Sequence, residues 1–122
     1  MHVLLIEDDT ALREALAAYL QAAGHRVTLA GDGDAGLAAA EAELPDVVVT
    51  DLIMPGREGI ETLLALRRRH PRLPVIVMSG GGRLDARAHL GVAERLGAVA
   101  TLAKPFRPAL LLEAIARAVT RG

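Results

Sequence analysis

The hydrophobic positions of this chain form short apolar runs that alternate with segments of helical period. The runs have the length of buried strands and cover residues 3–6, 26–30, 47–50, 75–78 and 99–102. The first helical segment ends at Gly24, and the others lie near residues 35–43, 60–69, 85–96 and 108–119. Five strands that alternate with five helices predict an α/β, doubly wound fold, in which helices cover both faces of one parallel sheet.

The first helical segment carries clear signals for both of its ends. Its apolar residues repeat at helical spacing, and they are Leu12, Ala15, Leu16, Tyr19 and Leu20. Asp9 and Thr10 precede this repeat and offer side-chain oxygens for an N-cap, while Gly24 provides a stop. We therefore expect Asp9 to cap the helix rather than to bind a ligand.

Length and composition fit one globular domain. The chain has 122 residues, of which 52% are hydrophobic, and its mean hydropathy is +0.32. These values suit a single packed core. The sequence shows no linker, internal repeat or shift of composition, so we expect residues 1–122 to form a single domain.

Charge and residue usage argue against several classes of function. Basic and acidic residues nearly balance, 14 against 15, so no electrostatic footprint for nucleic acid or a membrane surface is visible. One Tyr and one Phe provide no platform for base stacking. The lack of cysteine excludes disulfides and thiolate metal sites. No apolar run reaches about 18 residues and no signal peptide is recognisable, so we expect a cytoplasmic protein.

Polar side chains follow four of the five predicted strands. In chain order they are Glu7, Asp8 and Asp9, then Asp51, Ser79 and Lys104. The carboxyl ends of parallel strands meet at one edge of the sheet, which is where open α/β sheets bind ligands. We therefore expect these groups to lie close together.

The carboxylates at this edge predict a magnesium site. Those of Glu7, Asp8 and Asp51 would repel one another, because two unit charges about 4 Å apart cost about 4 kcal/mol at an effective dielectric near 20. A hard divalent cation relieves that repulsion, and carboxylates, water and phosphate oxygens are the ligands that Mg²⁺ takes. The missing cysteines and the scattered histidines argue against zinc.

The same edge predicts phosphoryl chemistry. With a metal bound, Asp51 can attack a phosphorus atom and form an aspartyl phosphate. Phosphoryl transfer depends on positioning and on neutralising the charge that develops on the equatorial oxygens. Lys104 can supply a mobile positive charge and Ser79 a hydroxyl donor. Asp51, Ser79 and Lys104 are therefore the predicted catalytic residues.

Taken in order, these residues resemble the receiver domain of two-component response regulators, of the stand-alone type similar to the chemotaxis regulators. The resemblance covers the whole chain. It rests on the acid pair after the first strand, the string Asp-x-x-Met-Pro-x-x-x-Gly that begins at Asp51, the hydroxyl of Ser79, and Lys104-Pro105-Phe106. It implies a flavodoxin-like receiver fold with five parallel strands in the order 2-1-3-4-5, and a cis Lys104-Pro105 bond.

The resemblance also implies a ligand set and a phosphodonor. Asp8 and Asp51 would bind Mg²⁺ directly, together with the backbone carbonyl of Ile53, and Glu7 would act through water. A histidine kinase or a histidine phosphotransfer protein would donate the phosphoryl group to Asp51. The chain would then serve a phosphorelay as a phosphoacceptor, not as a turnover enzyme.

Signal output would pass through a change in partner binding. The resemblance places an unidentified downstream protein at the face formed by the predicted helix 85–96, strand 99–102 and helix 108–119. Receivers commonly carry Tyr or Phe three residues before the lysine, and here that residue is Thr101. The segment 79–104 is also a few residues longer than usual and has three glycines after Ser79. We expect mobility in that segment.

Three other interpretations compete with a phosphorylated receiver. A degenerate receiver that serves only as a binding scaffold would agree with Thr101, but the complete acid, hydroxyl and lysine set argues against it. A metal-dependent phosphatase of the aspartyl-phosphate type usually carries a second acid where this chain has Ile53. Residues 31–36 match the dinucleotide fingerprint formally, but they follow the second strand and carry two acids, so we expect an ordinary turn.

Overall fold

The computed structural model describes residues 1–51, 58–79, 91 and 94–120. The strands are β1 (His2–Ile6), β2 (Arg26–Ala30), β3 (Val47–Asp51), β4 (Val75–Ser79) and β5 (Ala100–Ala103). The helices are α1 (Thr10–Ala22), α2 (Gly33–Ala42), α3 (Glu58–Arg69) and α4 (Pro108–Thr120). Most of the helix predicted near residues 85–96 lies outside the described residues. Among those described, no helix has the length and apolar character needed to span a bilayer.

The five strands form one parallel sheet in the order β2-β1-β3-β4-β5. This arrangement confirms the predicted doubly wound fold and its strand order. The chain places β2 on one side of β1 and then continues with β3 on the other side. The winding therefore reverses between β1 and β3, and in such sheets the ligand crevice lies outside the carboxyl ends of the strands at that point.

Burial separates the inner strands from the outer ones. Every residue of β1, β3 and β4 is buried, which explains why these strands appear in the sequence as nearly continuous apolar runs. The outer strands are less covered: Leu29 of β2 is 44% exposed, and no residue of β5 is fully buried. An outer strand has a neighbour on one side only, so its residues are less covered than those of the inner strands.

Alternating side chains divide the core into two layers. One layer packs against α1 and α4, and its strand residues are Val3, Leu5, Val47, Val49, Ile76 and Met78. The other packs against the α2 and α3 side, and its strand residues are Leu4, Ile6, Ala30, Val48, Val75 and Val77. Because helices cover both faces, polar side chains of the inner strands can reach solvent only at the strand ends.

The glycine-rich segment after β2 starts a helix. Asp32 is the N-cap of α2, and its carboxylate accepts a hydrogen bond from the backbone N–H of Ala35 at 2.8 Å. Gly36 lies directly on Ile6, because a Cβ at this position would collide with the Cδ1 and Cγ1 atoms of the isoleucine. Capping and close helix–sheet packing therefore explain the segment that matches the dinucleotide fingerprint.

Candidate functional site

The polar residues predicted to form the site meet at the carboxyl edge of the sheet. Glu7 follows β1, Asp51 ends β3, Ser79 ends β4 and Lys104 follows β5. The β4–β5 pairing continues past the last strand residue, since the backbone N–H of Lys104 donates to the carbonyl of Ser79 at 2.8 Å. Parallel pairing thus brings together residues that lie far apart in the sequence.

Three carboxylates form a compact acidic cluster at this edge. Glu7, Asp8 and Asp51 each offer an oxygen, and these atoms all lie within 4.8 Å of one another. Glu7 is 1% exposed and Asp51 4% exposed, whereas Asp8 faces solvent. Asp9 has a different role, because its side chain caps α1 by accepting from the backbone N–H of Leu12 at 3.0 Å. The structure confirms the cap predicted for Asp9.

A single ammonium group bridges the two buried carboxylates. Lys104 Nζ lies 2.6 Å from Glu7 Oε1 and 2.8 Å from Asp51 Oδ2. Burial lowers the pKa of Lys104, but its hydrogen bonds to Asp51 and Glu7 outweigh that effect, so the pKa lies above its usual value. The amine is therefore charged at neutral pH. The Lys104–Pro105 peptide bond is cis, as predicted.

Glu7 is held through both of its carboxylate oxygens. Oε1 contacts Lys104, and Oε2 accepts a hydrogen bond from the backbone N–H of Asp9 at 3.1 Å. Burial raises the pKa of Glu7, and repulsion from Asp51 adds to that rise, while the hydrogen bonds from Lys104 and Asp9 oppose it. The net pKa of Glu7 lies above the usual value for a glutamate, mainly because the side chain is buried.

Ser79 is fully buried, and none of the described residues provides a hydrogen-bond partner for its Oγ. Leaving a buried hydroxyl unsatisfied costs about 1–3 kcal/mol. Side chains at such positions are commonly completed by a ligand or an ordered water. Ser79 lies at the end of β4, as predicted, and its role as a donor to an incoming oxygen stays a prediction.

The donor set fits a hard divalent cation. All the clustered ligand atoms are carboxylate oxygens, which Mg²⁺ prefers over the nitrogen and sulfur donors chosen by zinc. The combined charge of the three carboxylates exceeds that of the one ammonium that contacts two of them. The carbonyl of Ile53, predicted as a further ligand, lies outside the described residues, as do Met54 and Pro55 and the three glycines after Ser79.

Arg13 contacts the site although the sequence analysis did not single it out. Its Nη1 donates to the backbone carbonyl of Glu7 at 2.8 Å. Arg13 stands one turn after Asp9, and the two backbones share the first hydrogen bond of α1. A bond from a side chain to a backbone carbonyl does not change the pattern of apolar residues, so the sequence contains no signal for this contact.

Thr101 lies in β5, at the position where receivers commonly carry an aromatic ring. Its side chain is half-buried, and its hydroxyl lies 3.4 Å from Glu94 Oε1. A contact of that length at an exposed carboxylate is weak. The face beside β5 therefore contains a small polar side chain where receivers commonly have a ring.

Comparisons with known proteins agree with this geometry. The family model described as the response regulator receiver domain matches residues 3–116. The response regulator FleR of Pseudomonas aeruginosa is 40% identical over 115 residues, which are 94% of this chain and 24% of FleR. The transcriptional regulatory protein FixJ of Bradyrhizobium diazoefficiens is 36% identical over 121 residues, which are 99% of this chain and 58% of FixJ. The chain thus spans less than two thirds of these relatives.

A solved structure extends the likeness to three dimensions. The crystal structure of the receiver domain of NtrX from Brucella abortus superposes with a TM-score of 0.91 at 30% sequence identity. The alignment covers 98% of this chain and 99% of that domain. Both the sheet order and the helices on its two faces therefore have a counterpart in an experimentally determined fold.

Proposed function

Because this chain belongs to the response regulator receiver domain family, we propose that it accepts a phosphoryl group on the carboxylate of Asp51. The observation that carries the proposal is the buried Asp51 at the end of β3, with its Oδ2 2.8 Å from the ammonium of Lys104 and its carboxylate within a cluster of acids. Receiver domains of response regulators serve phosphorylation-dependent signalling. We assign residues 1–122 to one such domain.

Asp51 is the acid best suited to act as the nucleophile. Glu7 uses both carboxylate oxygens in hydrogen bonds within the fold. Asp9 is engaged as a helix cap, and Asp8 lies at the exposed side of the cluster. Asp51 combines burial with a cation beside Oδ2, and that positive charge can stabilise the negative charge that develops on the phosphoryl oxygens.

The proposed step is a direct transfer from a phosphohistidine. A carboxylate oxygen of Asp51 forms a bond to phosphorus while the phosphorus–nitrogen bond breaks, and the electron pair of that bond returns to the imidazole of the donor. The ammonium of Lys104 neutralises charge on the phosphoryl oxygens, and Ser79 Oγ donates a hydrogen bond to one of them. The donor is a histidine kinase or a histidine phosphotransfer protein.

The carboxylates of Glu7, Asp8 and Asp51 fit a Mg²⁺ site, and the family resemblance implies the carbonyl of Ile53 as a further ligand. Magnesium bound there would neutralise the acids and the incoming phosphoryl group. Lys104 would neutralise part of the same negative charge, because it contacts Glu7 and Asp51 at the same edge of the sheet. We further propose that the domain acts as a phosphoacceptor without turnover, and that its downstream partner binds at the face beside β5 and α4.

A labelling experiment tests the proposal. The chain is incubated with phosphoramidate and Mg²⁺, and its intact mass is measured over time. Wild type is expected to gain one phosphate, Asp51→Asn none, and Asp34→Asn as much as wild type, because Asp34 lies in the first turn of α2 and outside the cluster. Labelling of Asp51→Asn at the wild-type rate would refute the assignment.

A further inference from the structure

We propose that Arg13 is a positioning residue for the metal site, holding the peptide that joins Glu7 to Asp8. Its Nη1 donates to the carbonyl oxygen of Glu7 at 2.8 Å. That carbonyl belongs to the same planar peptide unit as the nitrogen and Cα of Asp8. A donor that fixes the carbonyl therefore also restrains the Cα of Asp8, from which the Asp8 side chain extends. The inference rests on the proposed magnesium site.

The loop that carries the acids is tied at both ends, and Arg13 provides one of the ties. The backbone N–H of Glu7 pairs with the carbonyl of Ala30 at 3.0 Å, and the carbonyl of Asp9 accepts from the N–H of Arg13 at 2.8 Å. Asp8 lies between these two anchors and is exposed, so neighbouring side chains restrain it least of the three acids. The contact from Arg13 to Glu7 restrains the chain at the residue directly before Asp8.

The path of the Arg13 side chain is constrained by its surroundings. Arg13 is half-buried, and its guanidinium crosses from α1 to the end of β1 beside Gly31. A Cβ at Gly31 would lie 3.1 Å from Nη1 of Arg13, which is closer than ordinary van der Waals contact. The guanidinium thus occupies a space between the ends of β1 and β2 that a glycine leaves open.

A positioning role and a purely electrostatic role predict opposite results. Arg13 carries a positive charge close to a proposed cation site, so its charge alone opposes Mg²⁺ binding. If only charge mattered, Arg13→Met would bind Mg²⁺ more tightly than wild type and Arg13→Lys would bind it equally. If the hydrogen bond to Glu7 positions Asp8, Arg13→Lys is expected to bind more weakly, because the lysine nitrogen ends one bond short of Nη1.

The test is a Mg²⁺ titration of the full chain, followed by NMR, for wild type, Arg13→Lys and Arg13→Met. Loss of an outer contact that orients a metal ligand typically lowers metal affinity by 10-fold or more, so we expect Arg13→Lys to bind about 10-fold more weakly. Arg13→Met should also bind more weakly than wild type, by a smaller factor, because the lost charge offsets part of the effect. Arg26→Met is the matched control, since Arg26 pairs with Glu43 at the start of β2.

Labelling by phosphoramidate provides a second readout. The rate of Arg13→Lys at low Mg²⁺ is expected to fall by about 10-fold and to approach the wild-type rate at saturating Mg²⁺. A loss that only reflects a damaged fold would persist at saturation. Urea unfolding identifies that case, and Gly31→Ala is then tested instead, because its methyl group would crowd Nη1 of Arg13 and shift it by a few tenths of an ångström without removing the guanidinium.

The outcomes separate the two proposals. Absence of Mg²⁺ binding or labelling in wild type would overturn the proposed function itself. Wild-type Mg²⁺ affinity in Arg13→Lys, or in Gly31→Ala where Arg13→Lys does not fold, would overturn the role of Arg13 alone. A coupling between Gly31→Ala and Arg13→Lys, seen as a combined effect smaller than the product of the two fold-changes, would support it further.

Discussion

Lys104 Nζ donates a hydrogen bond to Asp51 Oδ2 at 2.8 Å, although 53 residues separate the two in the chain. The same nitrogen lies 2.6 Å from Glu7 Oε1. One cation therefore holds two buried carboxylates where β1, β3 and β5 end. A metal ion or a phosphoryl group that enters the site has to share these acids with Lys104, so the ammonium is both a stabilising element of the fold and a competitor for ligands.

Lys104→Met is expected to lower the free energy of unfolding by about 2 kcal/mol in metal-free buffer, because Glu7 and Asp51 lose a charge-assisted donor. Added Mg²⁺ should restore much of that loss and should bind more tightly than to wild type, since no ammonium competes. Urea unfolding across a Mg²⁺ series measures both effects. The exposed Arg107→Met serves as the control. Equal stability of Lys104→Met and wild type at every Mg²⁺ concentration would contradict the role of the ammonium.

Substitutions of Asp8 and Asp9 are expected to affect different properties, metal binding for Asp8 and stability of the fold for Asp9. Asp8→Ala should weaken Mg²⁺ binding sharply and leave the unfolding transition nearly unchanged, because Asp8 is exposed. Asp9→Ala should cost about 1 kcal/mol of stability, since it removes the N-cap that holds the N–H of Leu12. NMR titration and urea unfolding measure the two properties. The reverse ranking would mean that the acids are misassigned by one residue.

Ser79→Ala is expected to raise the free energy of unfolding by about 1 kcal/mol, because it removes a buried hydroxyl that has no partner within the described part of the chain. The variant should still accept a phosphoryl group on Asp51, and the conformational change that follows should be smaller. Thermal unfolding measures the change in stability, and intact mass measures whether Asp51 still accepts the phosphoryl group. A destabilised variant would show that the hydroxyl already has a partner in the folded protein.

Much of the fold follows from the sequence because the inner strands are covered on both faces. Such strands appear as apolar runs, and the polar residue after each run lies at the sheet edge, which placed Asp51 and Ser79 correctly. Contacts that depend on side-chain reach could not be predicted in this way. Arg13 bonds a backbone carbonyl, and that bond changes no hydrophobic period. The place of Lys104 beside the acids was predicted, but not that its ammonium bonds both Glu7 and Asp51. The close packing of Gly36 on Ile6 could not be predicted either, because the glycines of residues 31–36 indicated only a turn.

Gly36→Ala is expected to destabilise the protein by about 1–3 kcal/mol, because its methyl group overpacks the buried Ile6. Ile6→Val removes Cδ1, the atom nearest to the added methyl group, so the double variant should lose less stability than the sum of the single variants. A double-mutant cycle in urea measures this coupling. Additive losses would show that Gly36 is required for another reason.

Thr101 is expected to take little part in the response to phosphorylation. A covalent group shifts a conformational equilibrium only through its differential interaction with the two states. The 3.4 Å contact of Thr101 with Glu94 is too weak to favour one state strongly, and Thr101 has no ring that could change its packing. In the proposed mechanism, Ser79 and Lys104 are the side chains that sense the phosphoryl group.

NMR shift mapping with a beryllofluoride mimic of the phosphoryl group tests the role of Thr101. Large changes are expected at Ser79 and in residues 80–88, which lie outside the described residues, and small ones at Thr101. Thr101→Val keeps the shape of the side chain and removes its hydroxyl, so it should leave this pattern unchanged. Ser79→Ala should reduce the changes throughout, because the donor that would draw the following segment toward the phosphoryl group is gone. Large changes centred on Thr101 would contradict this prediction. They would show that β5 responds to phosphorylation even though it has no aromatic ring at this position.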